Sequence, residues 1–224
     1  MNTEPESANR EAGVQGERHS LELLWGTDWW TILDAIAAAP DLSQRGVRGL
    51  LAEHEFHNRI LAKLPAPWKA GRAQEKKHGE GTGSVDWMIS KGEHSFSIQV
   101  KMQRLSKGAV IIENGQGLVE TQKTRTRGKT KERRYEYGEF DILAVSLWPV
   151  TRNWKDFMYI PDDCLPHAKG KRNLIAPFHP VPLKRAPAYY WTDSIEEVFE
   201  YAKQFSKSNI VDSQPPVVQN GSTQ

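Results

Sequence analysis

Apolar residues recur every three or four positions in the N-terminal part of this chain, from residue 28 to residue 64. That period predicts two helices. The first helix begins after Asp28, whose side chain can cap it, and ends before Pro40. The second covers 43–64 and ends before Pro65. The predicted apolar faces consist of Trp29, Ile32, Leu33 and Ile36 in the first helix and Leu50, Phe56, Ile60 and Leu64 in the second.

The hydrophobic period changes to two after a Gly- and Lys-rich connector at 71–83, and this change predicts strands. Residues 85–89 and 96–102 form two apolar runs, and the Lys-Gly-Glu turn between them predicts a hairpin. Further strands are predicted over 140–147 and 157–160. The middle of the chain is therefore expected to form a sheet.

Prolines recur between Pro161 and Pro187, and they predict a loop or irregular surface in that stretch. Ser194 and Glu197 have the spacing of a capping box, which predicts the start of a final helix. The side chains expected to face inward from this helix are Ile195, Val198, Phe199 and Ala202.

The order of helices, then strands, then a helix predicts an α/β or α+β fold with a central mixed sheet flanked by helices. We expect one domain over 20–205, because 224 residues are too few for two large domains once the tails are removed. Residues 1–19 and 206–224 are polar and aperiodic, and we expect them to be disordered tails. The expected parts of the domain are a helical element at 20–40, a helix at 43–64, a sheet core at 84–160 and a Pro-rich loop with a helix at 161–205.

Charge is distributed unevenly in this sequence. The formal net charge is only +2, so there is no overall basic field to attract nucleic acid. Between residues 122 and 134, however, seven basic residues accompany one acid, and they are Lys123, Arg125, Arg127, Lys129, Lys131, Arg133 and Arg134. Two interpretations remain open, a solvated flexible loop and a positively charged arm that lies along a DNA backbone. Arg104 is a further candidate for a phosphate contact.

The single cysteine, Cys164, excludes an internal disulfide and a multi-cysteine zinc site. The N-terminal sequence has no apolar core typical of a signal peptide, and no apolar run has the length of a membrane span. We therefore expect a cytoplasmic protein without a membrane partner. A GxxxxGK[ST] motif is also missing from the sequence, which argues against an ATP-driven motor.

The candidate chemistry is concentrated in the predicted hairpin. Asp86 begins its first strand, and Gln99, Val100 and Lys101 close its second strand. If the two strands pair, a carboxylate, an amide oxygen and an ammonium converge at one edge of the sheet. That combination predicts a site for a metal ion and a phosphate.

These residues resemble the motif of the PD-(D/E)XK nuclease superfamily, the restriction-endonuclease-like fold. The resemblance covers roughly 49–160 and includes a helix motif matched by Gly49, Glu53, Phe56 and Ile60. Glu55 is an alternative to Glu53, but it lies about 200° around the helix from it. Val85 stands where a proline usually precedes the aspartate, and Gln99 stands where the second acid is usual. A Gln-x-Lys version of the motif occurs in some members.

The resemblance implies Mg²⁺-dependent hydrolysis of DNA phosphodiester bonds, with Mn²⁺ able to substitute. Asp86, Glu53 and the oxygens of Gln99 and Val100 would hold the metal, and Lys101 would orient or activate the attacking water. Because glutamine carries no charge, Gln99 is expected to give weaker metal binding than a glutamate.

Three versions of this function remain open from the sequence. A type II restriction-like enzyme is favoured, a homing or junction-resolving nuclease has the same core residues, and an inactive relative would bind nucleic acid without cutting it. The expected partner is double-stranded DNA. A homodimer is also expected, because one core of this size cuts one strand.

Overall fold

The computed structural model describes residues 18–73, 85–106, 108–123, 132–184 and 189–208, with side chains to residue 205. Most of both predicted tails and the central part of the basic segment lie outside the described residues. The chain divides into two compact units, 1–47 and 48–224. In the part that the structure describes, no helix is long and apolar enough to span a membrane.

The first unit is helical and contains α1 (Ser20–Trp25), α2 (Trp29–Ala38) and the beginning of α3 (Asp41–Arg59). Asp28 caps α2 as expected, since its Oδ1 accepts a hydrogen bond from the Thr31 N–H at 2.8 Å. The Glu22 carboxylate accepts from the backbone N–H groups of His19 and Trp29, and so joins α1 to the start of α2. None of the residues of α2 is buried, although the sequence predicted an apolar face on this helix.

Helix α3 begins directly after Pro40 and ends at Arg59, and a 3-10 turn (Leu61–Lys63) follows it. Its buried residues are Ala52 and Phe56. Leu50 is 62% exposed, so the prediction that it belongs to the apolar face is wrong. At 100° per residue, Leu50 lies about 120° around the helix from Phe56, outside the stripe that faces the core.

The second unit is built on a mixed five-stranded sheet. Its strands, in their order across the sheet, are β1 (Lys69–Arg72), β2 (Trp87–Lys91), β3 (His94–Met102), β8 (Ile142–Ser146) and β9 (Phe157–Pro161). The β3–β8 pair is parallel and the other pairs are antiparallel. This confirms the predicted α+β class with a central mixed sheet flanked by helices.

Side chains alternate between two cores on the two faces of this sheet. Ile98 and Val100 pack with Phe56 of α3 and Phe199 of the C-terminal helix α5 (Ile195–Ser208). Leu143 and Val145 of β8 belong to the other core, which includes Tyr135. The Ser194 Oγ accepts from the Glu197 N–H, and the four inward residues predicted for α5 are all buried.

The long connection between β3 and β8 contributes four strands to two smaller sheets. These strands are β4 (Leu105–Ser106), β5 (Ala109–Val110), β6 (Ile112–Glu113) and β7 (Gln116–Glu120). Two short elements adjoin β9, helix α4 (Trp148–Thr151) before it and a 3-10 turn (Asp162–Cys164) after it.

The loop predicted for 161–187 instead contains three strands, which are β10 (His167–Ala168), β11 (Lys171–Ile175) and β12 (Phe178–Val181). Strand β12 pairs with β7 at the edge of a three-stranded sheet. Proline is compatible with an edge strand because the missing N–H faces away from the ladder. Pro180 therefore does not interrupt β12.

Two aspartates hold the end of the sheet where β8 begins. Asp141 Oδ2 accepts hydrogen bonds from the Ser97 N–H at 2.7 Å and the Ser97 hydroxyl at 2.6 Å. Asp162 accepts from the N–H groups of Gly138 and Asp163. Burial raises the pKa of Asp162 to about 7, and the neighbouring charges of Asp163 and Asp141 add to this increase.

We predict that Asp162→Asn changes how stability depends on pH. The folded protein keeps the Asp162 proton up to about pH 7, whereas the unfolded chain releases it near 3.8, so the stability of the wild type falls between these values. Asparagine has no proton to release. Relative to the wild type, the variant should therefore gain on the order of 1–3 kcal/mol in unfolding free energy between about pH 5 and about pH 8.

Denaturant titrations at both pH values measure this difference. Asp34→Asn, on an exposed position of α2, is the control and should show no comparable pH-dependent gain. A stability difference between Asp162→Asn and wild type that is the same at both pH values would contradict the prediction.

Candidate active site

The β2–β3 hairpin brings Asp86 to the end of β3. Gly92 closes the turn with a φ of 63°, a conformation that glycine adopts readily, and the register pairs Trp87 with Ile98. The Asp86 Oδ2 then accepts from the Val100 N–H at 2.7 Å and from the Gln99 Nε2 at 2.5 Å. Asp86 is thus in direct contact with two other residues that the sequence singled out, Gln99 and Val100.

The electrostatic surroundings of Asp86 include the other predicted site residues. Burial and, to a smaller extent, the nearby Glu53 charge raise the pKa of Asp86 to about 6. The charges of Lys101 and Arg72 and the Val100 N–H act in the opposite direction. Glu53 and Lys101 therefore both lie within electrostatic reach of Asp86.

Glu53, and not Glu55, is the helix carboxylate that acts on the charge of Asp86. The Glu55 carboxylate forms an i,i+4 ion pair with Arg59 at 2.8 Å on α3. Glu53 accepts instead from Arg72 Nη1 at 3.3 Å. Because Arg72 lies on β1 next to β2, this contact connects α3 to the hairpin that carries Asp86.

Arg72 is a site residue that the sequence analysis missed. Its guanidinium lies 4.8 Å from the centroid of the Trp87 ring, and the His57 ring stacks on the same tryptophan at 4.7 Å. These contacts hold Arg72 against Glu53 and within electrostatic reach of Asp86. The sequence contains little sign of the strand that carries Arg72, because β1 is short and all four of its residues are exposed. It therefore has no hydrophobic alternation.

Lys101 adjoins a second missed residue, Tyr135. The Lys101 Nζ lies 5.8 Å from the centroid of the Tyr135 ring, and the Lys123 Nζ lies 5.5 Å from the same centroid. The Tyr135 hydroxyl donates a hydrogen bond to the Gln99 Oε1 at 3.3 Å. Among the described residues, Lys101 has no carboxylate within ion-pair distance.

The two described ends of the basic segment form a neck. The Lys123 N–H donates to the Arg133 carbonyl at 2.7 Å, and Gln122 and Arg134 form an antiparallel bridge. Lys123 pairs with Glu139, and the Arg134 guanidinium binds both oxygens of Glu132. The remaining predicted DNA contacts of this segment, Arg125, Arg127, Lys129 and Lys131, lie outside the described residues.

Arg104 does not point freely into solvent. Its guanidinium lies 4.9 Å from the Phe178 ring centroid, and its Nε is 3.8 Å from Glu120 Oε2. About a third of the side chain remains exposed. The structure therefore gives Arg104 a packing role beside β7 and β12, and its predicted contact with a phosphate stays a prediction.

The donor set at Asp86 fits a hard divalent cation. Both hydrogen bonds of the Asp86 carboxylate go to Oδ2, and no donor among the described residues reaches Oδ1. Glu53 supplies a second carboxylate, and Val100 supplies a backbone carbonyl. In the described part of the chain no group of three or more His, Cys, Asp or Glu residues could hold a metal, so such a cation would need amide, carbonyl or water oxygens as well.

Comparisons with known proteins place the chain in no family, so the assignment of a function depends on the contacts described above. No protein-family model matches the sequence, and no curated protein matches it. Among solved structures, the chain is similar to the bacterial homing endonuclease I-Ssp6803I, with 16% sequence identity and a TM-score of 0.40. The match covers 71% of this chain and 94% of that chain. A likeness at this level carries no conclusion about function.

We predict that neighbouring charges shift the pKa of Asp86 in opposite directions. Glu53→Gln removes a negative charge and should lower this pKa from about 6, whereas Lys101→Met removes a positive charge and should raise it. A ¹³C NMR titration of the Asp86 carboxyl group, in buffer without divalent metal, measures both shifts.

Glu55→Gln is the matched control, because Glu55 pairs with Arg59 on the same helix. It should leave the Asp86 titration unchanged. If Glu53→Gln and Lys101→Met also leave it unchanged, the three side chains do not form one site.

Proposed function

We propose that this chain is a Mg²⁺-dependent DNA endonuclease that acts in the manner of a type II restriction enzyme. The observation that carries the proposal is the shared electrostatic neighbourhood of Glu53, Asp86 and Lys101. Two carboxylates and an ammonium are the groups that metal-assisted phosphodiester hydrolysis requires. A homing or junction-resolving nuclease would use the same site.

Each residue has a distinct role in this proposal. The Asp86 Oδ1, the Glu53 carboxylate and the oxygens of Gln99 and Val100 hold the cation. Bound Mg²⁺ supplies a Lewis acid that activates water and offsets charge on the phosphoryl oxygens. Lys101 places its ammonium beside the scissile phosphate and orients the attacking water. Arg72 holds the Glu53 carboxylate in place through its contact at 3.3 Å.

The position of the basic segment supports double-stranded DNA as the partner. Its neck ends at Tyr135, whose ring lies next to both Lys101 and Lys123. A DNA backbone that passes Lys101 would therefore also pass Lys123 in this neck. Phosphate contacts of this kind give affinity without reading bases.

The same proposal includes a homodimer. One chain offers one site, and a double-strand break requires two sites related by a twofold axis. Analytical ultracentrifugation of the protein with and without duplex DNA tests this part. A complex that contains one chain per DNA would exclude it.

Cleavage assays test the proposed function directly. We expect the protein to convert plasmid and phage DNA, modified or unmodified, into discrete fragments with Mg²⁺ and not with EDTA. Lys101→Ala should reduce the cleavage rate by about 100-fold or more, because it removes a charge at the reacting phosphate. Lys155→Ala, at an exposed position of the same unit, is the control and should cleave at the wild-type rate.

Binding of DNA without metal-dependent cleavage would instead identify an inactive nucleic-acid-binding relative. Equal cleavage by Lys101→Ala and wild type would contradict the role of Lys101.

The basic segment is predicted to set the salt dependence of DNA binding. A variant with glutamine at four positions tests this, namely Arg125, Arg127, Lys129 and Lys131. Its slope of log K against log [salt] should be less negative than that of the wild type by about 3 to 4, because fewer phosphate contacts release fewer counterions. Fluorescence anisotropy with a labelled duplex, in EDTA, measures this slope at several salt concentrations.

The matched control replaces four exposed basic residues elsewhere in the same unit, Lys155, Lys169, Arg172 and Lys184. This variant carries the same net charge as the segment variant. An equal change of slope in both variants would show that only total charge matters.

A further inference from the structure

The orientation of the Gln99 amide raises a question about how this residue serves a metal ion. Gln99 is only 3% exposed, so its amide group depends on protein partners. Its Nε2 donates to Asp86 and its Oε1 accepts from Tyr135. The amide nitrogen, and not the oxygen, therefore faces the carboxylate. A glutamine can serve as a metal ligand only through its oxygen.

A half-turn of the amide plane would exchange these two atoms. The Oε1 would then face the space beside Asp86, and the Nε2 would face the Tyr135 hydroxyl. A phenol hydroxyl both donates and accepts hydrogen bonds, so it can accept from Nε2 after the turn as readily as it donates to Oε1 before it. A buried amide that turned without such a partner would leave a donor unsatisfied.

Tyr135 is held firmly enough to act as this partner. It is 5% exposed, and its ring packs edge-on against Phe140 with 5.2 Å between the centroids. Its carbonyl accepts from the Ile175 N–H at 2.8 Å, which ties the backbone to β11. The hydroxyl therefore stays in place while the Gln99 amide turns.

We propose that Tyr135 is a positioning residue whose hydroxyl satisfies the Gln99 amide in two orientations, one without metal and one with the amide oxygen turned to a divalent cation. This inference rests on the proposed metal site. In this role, Tyr135 allows a glutamine to act as a metal ligand at a position where an acid is usual. A carboxylate presents oxygen in either orientation and needs no such partner.

The test combines Tyr135→Phe with Gln99→Glu and measures Mg²⁺ binding by calorimetry on the DNA-free protein. We expect Tyr135→Phe to weaken Mg²⁺ binding about 10-fold in the wild-type background, because Nε2 loses its acceptor. In the Gln99→Glu background the same substitution should weaken it less than about threefold. The double-mutant cycle thus separates the turning amide from a general loss of structure.

Tyr137→Phe is the matched control. The Tyr137 hydroxyl also donates a hydrogen bond, partly buried, to the Leu165 carbonyl at 2.7 Å, but it does not contact Gln99. This variant should bind Mg²⁺ within about twofold of the wild type. DNA affinity in EDTA, which does not depend on the metal ligands, should be unchanged in Tyr137→Phe.

The possible results separate this inference from the proposed function. Unchanged Mg²⁺ binding by Tyr135→Phe, or equal weakening in both Gln99 backgrounds, would overturn the role of Tyr135 and leave the metal site standing. A wild-type protein that binds no Mg²⁺ would overturn the proposed metal-dependent function together with this inference.

Discussion

The partly buried carboxylate of Asp86 is the constraint on which the candidate site depends. Its Oδ2 accepts from the Val100 N–H and the Gln99 amide, so β2 and β3 meet in one register. A slip by one residue would move every side chain of β3 to the other face. The carboxylate also sits beside Glu53, and burial and like charge both disfavour its ionised form. A free-energy cost of this kind at a single residue is typical of functional sites, and the surrounding fold supplies the stability that offsets it.

Local patterns were sufficient to predict the hairpin, the mixed sheet and the helix caps. The two-residue alternation of 96–102 is a property of β3 alone, and the caps at Asp28 and Ser194 depend on residues three positions away. The contact between Asp86 and Gln99 followed from the same hairpin, because its turn is short. These are features in which neighbours in the sequence are also neighbours in space.

Features that depend on distant partners were not predictable in this way. Arg72 reaches Glu53 only because β1 pairs with β2 across a connector, and Tyr135 reaches Gln99 from 36 residues away. Strands β10 to β12 are short and lie among prolines, so propensity favoured a loop, but β10 pairs with β11 and β12 pairs with β7. Leu50 was predicted to face the core but is exposed. Helix periodicity identifies the centre of an apolar stripe more reliably than the residues at its edges.

The parallel pairing of β3 and β8 requires the chain to return across the sheet between them. The basic segment is part of this return, and the backbone pairing of Lys123 with Arg133 closes its two ends ahead of Tyr135. Changes in length inside a loop with fixed ends carry an entropic cost that grows only slowly. The number of residues between Lys123 and Arg133 can therefore change in evolution, or be changed by an engineer, without rebuilding the sheet that carries Lys101. Affinity for the proposed DNA partner and the arrangement of groups around Asp86 are thus separable properties of this molecule.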